Sequence, residues 1–117
     1  MQTQRREVLH YLTDNGRNSF QDWLTHLKDL KGQGAILKRI DRVHEGLLGD
    51  HASVGHGVWE LRIHFGPGYR VYYGEDGPTV VLLLCGGEKS TQKRDILKAQ
   101  EYWGKYTRAN ETHSFTP

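Results

Sequence analysis

The stretch "ELRIHFGPGYRVYYGEDG", residues 60–77, contains two short segments in which polar and apolar residues alternate. Because successive residues of a strand point to opposite faces, this alternation predicts two strands. The sequence "GPG" at 66–68 predicts a tight turn and therefore an antiparallel hairpin. Within the first strand, the alternation puts Glu60, Arg62 and His64 on one face. It leaves open whether that face is only exposed to water or forms a site.

The rest of the chain predicts one α+β domain built around this hairpin. The predicted elements are a strand over 7–12, a helix capped by Ser19 and ending at 31–34, a second helix from Ala35 to about Leu47, a loop over 48–57, strands over 58–65, 69–74 and 79–85, and a last helix to about Tyr106. The glycines at 86 and 87 predict the end of the last strand. We expect one face of the hairpin strands to stay open to water. The domain spans 1–106, and the polar segment 107–117 is predicted to be a flexible tail.

Composition narrows the class of protein. The chain has 117 residues, which is enough for one domain with a real core, and a single cysteine, which excludes an internal disulfide. No apolar run approaches the roughly 20 residues of a membrane span, and the N-terminus lacks a secretory core, so we expect a cytoplasmic protein with no membrane partner. The net charge of +2 is only a weak indication of an anionic partner.

Three sequence features suggest other kinds of site, namely a nucleotide-binding loop, a metal site and a reactive cysteine, but none of them has the required pattern. The sequence "CGGEKST" resembles a nucleotide-binding phosphate loop, but Glu88 stands where that motif needs a glycine before the lysine. His51 and His56 have no cysteine or carboxylate cluster at ligand spacing, so no metal and no cofactor are expected. Cys85 ends an apolar strand without a basic neighbour on its own face, which is typical of an inert core thiol.

Three stretches together resemble a known family. They are "SFQDWLTHLKDLKGQGAILKRIDRV", "VGHGVWELRIHFGPGYRVYY" and "VVLLLCGGEKSTQKRDILKAQEYW". In order and spacing, over roughly residues 5 to 106, they resemble the RelE/ParE superfamily of bacterial toxins. More narrowly, they resemble the HigB-like, phage-derived (Gp49-like) addiction-module killer proteins.

The resemblance implies a RelE-like compact α+β domain, in which an N-terminal helical hairpin packs on a small antiparallel β-sheet with a C-terminal helix. It also implies the toxin of a type II toxin–antitoxin module, neutralised by a cognate antitoxin that is usually a helix-turn-helix protein. Many members are metal-independent, ribosome-dependent endoribonucleases that cleave mRNA. ParE-type relatives share the fold but bind DNA gyrase without cleaving RNA, and a degenerate relative would bind only its antitoxin. Fold alone does not separate these functions.

Site residues follow from the resemblance together with the strand pattern. By family position, Arg62, Arg70 and Lys89 fall where toxin endonucleases carry basic residues that handle the scissile phosphate. An antiparallel hairpin brings the two arginines close together on one face, and arginine suits this task because its fork holds two phosphate oxygens. Glu60 stands where some members have lysine. Glu60 and His64 are the candidates for moving protons.

Further contacts to RNA are predicted around this set. Tyr72 shares the polar parity of its strand and is a candidate for stacking on an RNA base. Lys93 and Arg94 are candidates for RNA binding at the first turns of the last helix, where basic residues oppose the helix dipole. The alternative for both basic residues is an ordinary solvated helix face.

Overall fold

The computed structural model of the protein describes the backbone of residues 4–114 and the side chains of residues 4–110. The elements in chain order are β1 (Glu7–His10), α1 (Ser19–His26), α2 (Leu30–His44), β2 (His51–Gly55), β3 (Val58–Ile63), β4 (Tyr69–Asp76), β5 (Val80–Glu88) and α3 (Gln92–Ser114). A short 3-10 turn, Lys89–Thr91, leads from β5 into α3. The predicted α+β class, with a helical hairpin, a sheet and a C-terminal helix, is confirmed.

The five strands form one mixed sheet in the order β1-β5-β4-β3-β2. Strands β2 to β5 are antiparallel neighbours, whereas β1 pairs in parallel with β5. Two predictions are corrected here. The segment 48–57, predicted as a loop, contains β2, and β1 ends at His10 rather than at Leu12. The sheet therefore has five strands, one more than the four that the sequence predicted.

Helices cover both faces of the sheet. The first core lies under α1 and α2 and includes Ile36, Leu61 and Leu83, while the second core lies under α3 and includes Tyr72 and Leu84. The prediction that one face of the hairpin strands stays open to water is therefore wrong. α3 packs over that face and supplies residues to the second core.

The helical hairpin exists, but its boundaries differ from those predicted. Asn18 caps α1 by accepting a hydrogen bond from the Gln21 backbone N–H at 3.0 Å, so Ser19 is not the cap. α2 begins at Leu30, because Asp29 caps it by accepting from the Gly32 N–H at 2.9 Å. The break predicted at 31–34 is therefore wrong. Gly32 lies inside the helix, where a Cβ would meet the side chains of Asp29 and Tyr69.

The glycines at 86 and 87 do not end β5, because each permits a side chain from a packed helix to approach the strand. A Cβ on Gly86 would lie 2.3 Å from the ring of Trp23 in α1, on one face. On Gly87 it would meet the Asp95 carboxylate of α3, on the other face. In this sheet the pair marks close packing on both sides rather than a strand end.

The last helix is longer than predicted. α3 continues past Tyr106 to Ser114, so the predicted end of the helix near Tyr106 is wrong. Flexibility of the segment 107–117 stays a prediction, and residues 115–117 lie outside the described residues. Among the helices of residues 4–114, none has the length and apolar character needed to cross a membrane.

Candidate active site

Arg62 and Arg70 lie directly opposite each other on β3 and β4, which confirms the prediction that the hairpin brings them close together on one face. Both side chains lie on the sheet face that α3 covers, because their strand neighbours Leu61 and Val71 belong to the first core on the other face. Like charges directly across a strand pair repel each other. The pair therefore needs a compensating negative charge.

Glu60 supplies that charge from a fully buried position on β3. Its Oε1 accepts a hydrogen bond from Arg62 Nε at 2.9 Å and lies 3.8 Å from Arg70 Nε. Its Oε2 accepts from Gln92 Nε2 of α3 at 2.7 Å. The hydrogen bond and the charge of Glu60 raise the pKa of Arg62. A buried carboxylate engaged by three side chains is not free to take a proton from a substrate, so the predicted proton-handling role of Glu60 does not fit this geometry.

The same contacts orient the two guanidinium groups. Glu60 contacts both arginines at Nε, which leaves the terminal nitrogens of Arg62 for other ligands. Within the described residues the terminal nitrogens of Arg62 make no hydrogen bond, and its side chain is 39% exposed. The side chain of Arg70 is 8% exposed, and its Nη1 donates to the Tyr69 carbonyl at 3.2 Å. The pair thus offers one accessible and one mostly buried cation to an anion.

Lys89 lies at the same end of the sheet. Its backbone N–H donates to the Gly68 carbonyl at 2.8 Å, which fixes the start of the 3-10 turn against the β3–β4 turn. Gly68 has a φ of +83°, and a Cβ there would lie 3.5 Å from both Arg70 Nη1 and Lys89 Cβ. The structure therefore brings Arg70 and Lys89 beside one glycine. The Lys89 side chain adds an exposed cation beside Arg70.

His64 is placed differently from Glu60. It follows the last residue of β3, and its Nε2 lies 2.6 Å from Asp50 Oδ2, with 71% of its side chain exposed. The hydrogen bond from His64 and then the charges of His64 and Arg62 lower the pKa of Asp50. Asp50 and His64 therefore lie within electrostatic reach of Arg62 but outside the buried face. A carboxylate at this distance orients the imidazole ring.

Tyr72 is fully buried in the second core, with its ring in the interior. Its hydroxyl lies near Glu60 but makes no hydrogen bond that meets the geometric criteria. Burial is the largest cause that raises the pKa of Tyr72, and the negative charge of Glu60 is the next. Because α3 covers this ring, an RNA base cannot reach it. The predicted stacking role of Tyr72 is therefore wrong.

Lys93 and Arg94 are exposed on the first turn of α3. Together with Lys89 they line a groove of about 460 Å³ around the turn that starts the helix. Arg94 also lies 3.5 Å from the Asp95 carboxylate, measured from its Nε. Both predicted RNA-binding cations therefore share a groove with Lys89, which lies beside Arg70 at Gly68.

Two supporting residues were missed by the sequence analysis. Gln92 looked like an ordinary first-turn residue, yet it holds Oε2 of Glu60. Arg39 of α2 donates from its three nitrogens to the carbonyls of Leu48, Asp50 and Arg62, which fixes the ends of β2 and β3. Neither role has a signal in the local sequence, because both depend on which elements pack together.

Among the described residues, no three His, Cys, Asp or Glu side chains lie close enough to hold a metal ion. The side chains gathered here are cations and hydrogen-bond donors, and they suit an anion. Arginine and lysine side chains bind both phosphate groups and carboxylates, so a phosphate ester is one class of anion that fits here.

Comparison with known proteins places the chain in a family. An uncharacterised protein of Haemophilus influenzae is 48% identical over 82 residues, which cover 70% of this chain and 83% of that protein. The family described as phage-derived protein Gp49-like (DUF891) matches residues 3–102, including β3, β4 and the arginine pair. The chain therefore belongs to the Gp49-like family of phage-derived proteins, a family associated with toxin–antitoxin modules.

Proposed function

We propose that this protein is a toxin of the RelE/HigB kind, and that it cleaves mRNA on the ribosome without a metal ion. The observation that carries the proposal is the pair of facing arginines, Arg62 and Arg70, oriented by the buried Glu60. Such a pair presents fixed positive charge where a phosphate would gain negative charge in the transition state. The association of the family with toxin–antitoxin modules supports the same reading.

Cleavage would use the 2′-hydroxyl of the RNA itself. The 2′-oxygen forms a bond to phosphorus while the bond from phosphorus to the 5′-oxygen of the next nucleotide breaks. Arg62 and Arg70 stabilise the charge on the phosphorane, and Lys89 stabilises the charge on the departing oxygen. His64, oriented by Asp50 at 2.6 Å, is the remaining candidate to take the proton of the 2′-hydroxyl, and water gives a proton to the departing 5′-oxygen. Glu60 acts by positioning the two arginines.

The proposed partners follow from the same assignment. A cognate antitoxin, of the helix-turn-helix type common in this branch, would neutralise the toxin, and mRNA on the ribosome would be its substrate. Lys93 and Arg94 would hold RNA beside the arginine pair, because their groove is continuous with Lys89. The proposed location is the cytoplasm.

Primer extension on a reporter mRNA in a translating extract tests this function. The variants are Arg62→Ala and Lys89→Ala, with Lys28→Ala as the matched control, an exposed lysine in the link between α1 and α2. Arg62 is preferred to Arg70 because its side chain is more exposed and the fold depends on it less. We expect breaks within translated codons, reduced about a hundredfold in both variants and unchanged in the control.

Two results would contradict the proposal. Breaks that persist in Arg62→Ala, with thermal stability retained, would remove the arginine pair from the reaction. Intact mRNA in the presence of a toxic wild-type protein would favour the ParE-like alternative, a protein that inhibits by binding DNA gyrase or another protein.

A further inference from the structure

A second site lies on the opposite side of β5 from the hairpin, where α1 and α3 flank the edge of the sheet. It is a cleft of about 510 Å³. Trp23 of α1, Gly86 of β5, and Arg94 and Lys98 of α3 line it, together with Arg17 from the segment before α1. Only Arg94 is shared with the groove near the arginine pair. The predicted enzymatic function uses none of the other residues.

The cleft exists because β1 is shorter than β5. The last pair between the two strands joins His10 and Leu83, and the Tyr11 N–H still donates to the Leu83 carbonyl at 2.9 Å. Beyond this point β5 continues to Glu88, and the described residues place no strand beside it on that edge. The edge of β5 is therefore open where it faces the cleft.

Hydrogen-bond alternation identifies which backbone groups point outward. The Lys89 N–H donates to Gly68 across the β4–β5 pair, so this pair is hydrogen-bonded. In an antiparallel ladder hydrogen-bonded and non-hydrogen-bonded pairs alternate, which makes Gly86 and Glu88 residues that point away from β4. The Thr91 hydroxyl already contacts the N–H and C=O of Glu88. Gly86 is left with both its N–H and its C=O directed to the cleft.

This pair of groups favours a peptide over a phosphate. A phosphate would accept from the Gly86 N–H but would be repelled by the adjacent carbonyl, whereas another peptide backbone matches both. The aromatic rings of the cleft are also poorly placed for bases. The ring of Trp23 lies against Gly86. The ring of Tyr102 stacks on the ring of Tyr11, with 5.0 Å between the two ring centres, and Lys98 Nζ lies 5.8 Å from the Tyr102 ring centre.

The charge of the cleft favours acidic side chains on that peptide. Arg17, Arg94 and Lys98 are exposed cations along the rim, whereas Asp22 is the exposed carboxylate facing them. The second acid of the cleft, Asp95, is buried and is engaged by the Thr91 hydroxyl and by Arg94. Arg17 and Lys98 then face only Asp22, so one positive charge is left over for a segment with carboxylates beside its backbone.

We propose that this cleft binds an extended, acidic segment of another protein, which pairs its backbone with Gly86 and places carboxylates among Arg17, Arg94 and Lys98. The segment continues the line of β1 along β5, between α1 and α3. Residues 84–88 of β5 run along this edge. At a rise of about 3.3 Å per residue, the length of this edge is enough for a bound segment of three to five residues. The inference goes beyond RNA cleavage and does not depend on it.

Amide NMR spectra of the full chain test the proposal with three probes. The probes are a terminally blocked hexapeptide of alternating glutamate and valine, its lysine–valine counterpart, and hexauridylate. At millimolar concentration, we expect only the acidic peptide to shift the Gly86 amide and to slow its hydrogen exchange. The lysine–valine peptide tests charge, and hexauridylate tests whether the cleft is an RNA site.

Charge-reversal variants link the shift to the cleft. We expect Lys98→Glu and Arg17→Glu each to weaken binding of the acidic peptide by roughly fivefold, the loss typical of an exposed ion pair. Lys28→Glu, outside the cleft, controls for net charge and should bind within error of the wild type. Three results overturn the proposal: no shift of the Gly86 amide, the same shift with hexauridylate, or peptide binding that is insensitive to both reversals. Because none of these readouts measures mRNA cleavage, failure here is distinct from failure of the proposed enzyme.

Discussion

At the scale of single residues, the organisation of the candidate site depends on Glu60. Two arginines face each other across β3 and β4, and one buried carboxylate oxygen lies within 3.8 Å of both Nε atoms. A buried carboxylate is costly to desolvate unless it is paired, and each arginine is costly to hold near the other unless it is neutralised. The three side chains therefore require one another. This interdependence holds Arg62 by its Nε, on a side chain that is 39% exposed.

Glu60→Gln is expected to destabilise the protein by about 3 kcal/mol, because it leaves Arg70 as an uncompensated buried charge. Urea unfolding followed by circular dichroism measures this loss. The double variant Glu60→Gln/Arg70→Met removes both buried charges and should recover part of the stability. A single variant as stable as the wild type would show that the ion pairs contribute nothing to folding.

A second residue-scale prediction concerns Asp29, which caps α2 and accepts a hydrogen bond from the Tyr69 hydroxyl at 2.8 Å. The Gly32 N–H and then Tyr69 lower the pKa of Asp29 below its ordinary 3.8, and burial and Asp29 raise the pKa of Tyr69 to about 12. Since the folded-state pKa of Asp29 lies below the unfolded value, its contribution to stability is complete above the unfolded value. That contribution is lost as pH falls through the folded-state value.

Asp29→Asn keeps a capping side chain but removes the charge. We expect the variant to melt at a lower temperature than the wild type at neutral pH, with the difference shrinking below about pH 4. Melting curves of both proteins across this range measure it. Asp50→Asn serves as a comparison, because the pKa of Asp50 is also lowered, by its pairing with His64. A difference that stays constant with pH would contradict the assignment.

At the scale of elements, glycines decide how closely the helices approach the sheet. Gly86 accepts the Trp23 ring of α1, and Gly74 accepts the Trp103 ring of α3. A Cβ added to either glycine would lie about 2.3 Å from a carbon of the indole ring, which is too close for any side chain. The glycines therefore fix the distance between layers on both faces, which explains why they occur inside strands that otherwise favour larger residues.

Two alanine substitutions test this with opposite expected signs. Gly86→Ala should destabilise the protein by about 2 kcal/mol or more, since α1 must move away from β5. Gly34→Ala, in α2, has nothing within 4 Å of its Cβ and should stabilise by roughly 0.5–1 kcal/mol. Denaturant unfolding of both variants supplies the comparison. Equal stability of Gly86→Ala and the wild type would mean that Trp23 does not pack on the strand.

The elements also show how far the sequence alone reaches. Period-two alternation predicted the hairpin and the facing pair Arg62 and Arg70, because parity and a short turn are local properties. Local glycine signals failed at Gly32 and Gly86, where tertiary packing uses the missing side chain. The burial of Glu60 and Tyr72 under α3 depends on which face that helix covers, a property that no local pattern contains.

At the scale of the whole molecule, one sheet separates two cores. Ile36 represents the first core, under α1 and α2, and Leu84 represents the second, under α3, and both are fully buried. Strands β4 and β5 contribute side chains to both cores, since their residues alternate between faces. Loss of either core should therefore disturb the strands that the other core needs, which predicts a single cooperative unit.

Ile36→Ala and Leu84→Ala test this cooperativity, because each creates a cavity in a different core. We expect each to lower the free energy of unfolding by about 3 kcal/mol. Both should shift one urea transition with an unchanged slope, seen at the same midpoint by circular dichroism and by tryptophan fluorescence. A two-phase curve in which Leu84→Ala moves only one phase would instead show that α3 and the second core unfold separately. The candidate site would then lie at the boundary of an independently unfolding part, because Gln92 of α3 holds Glu60.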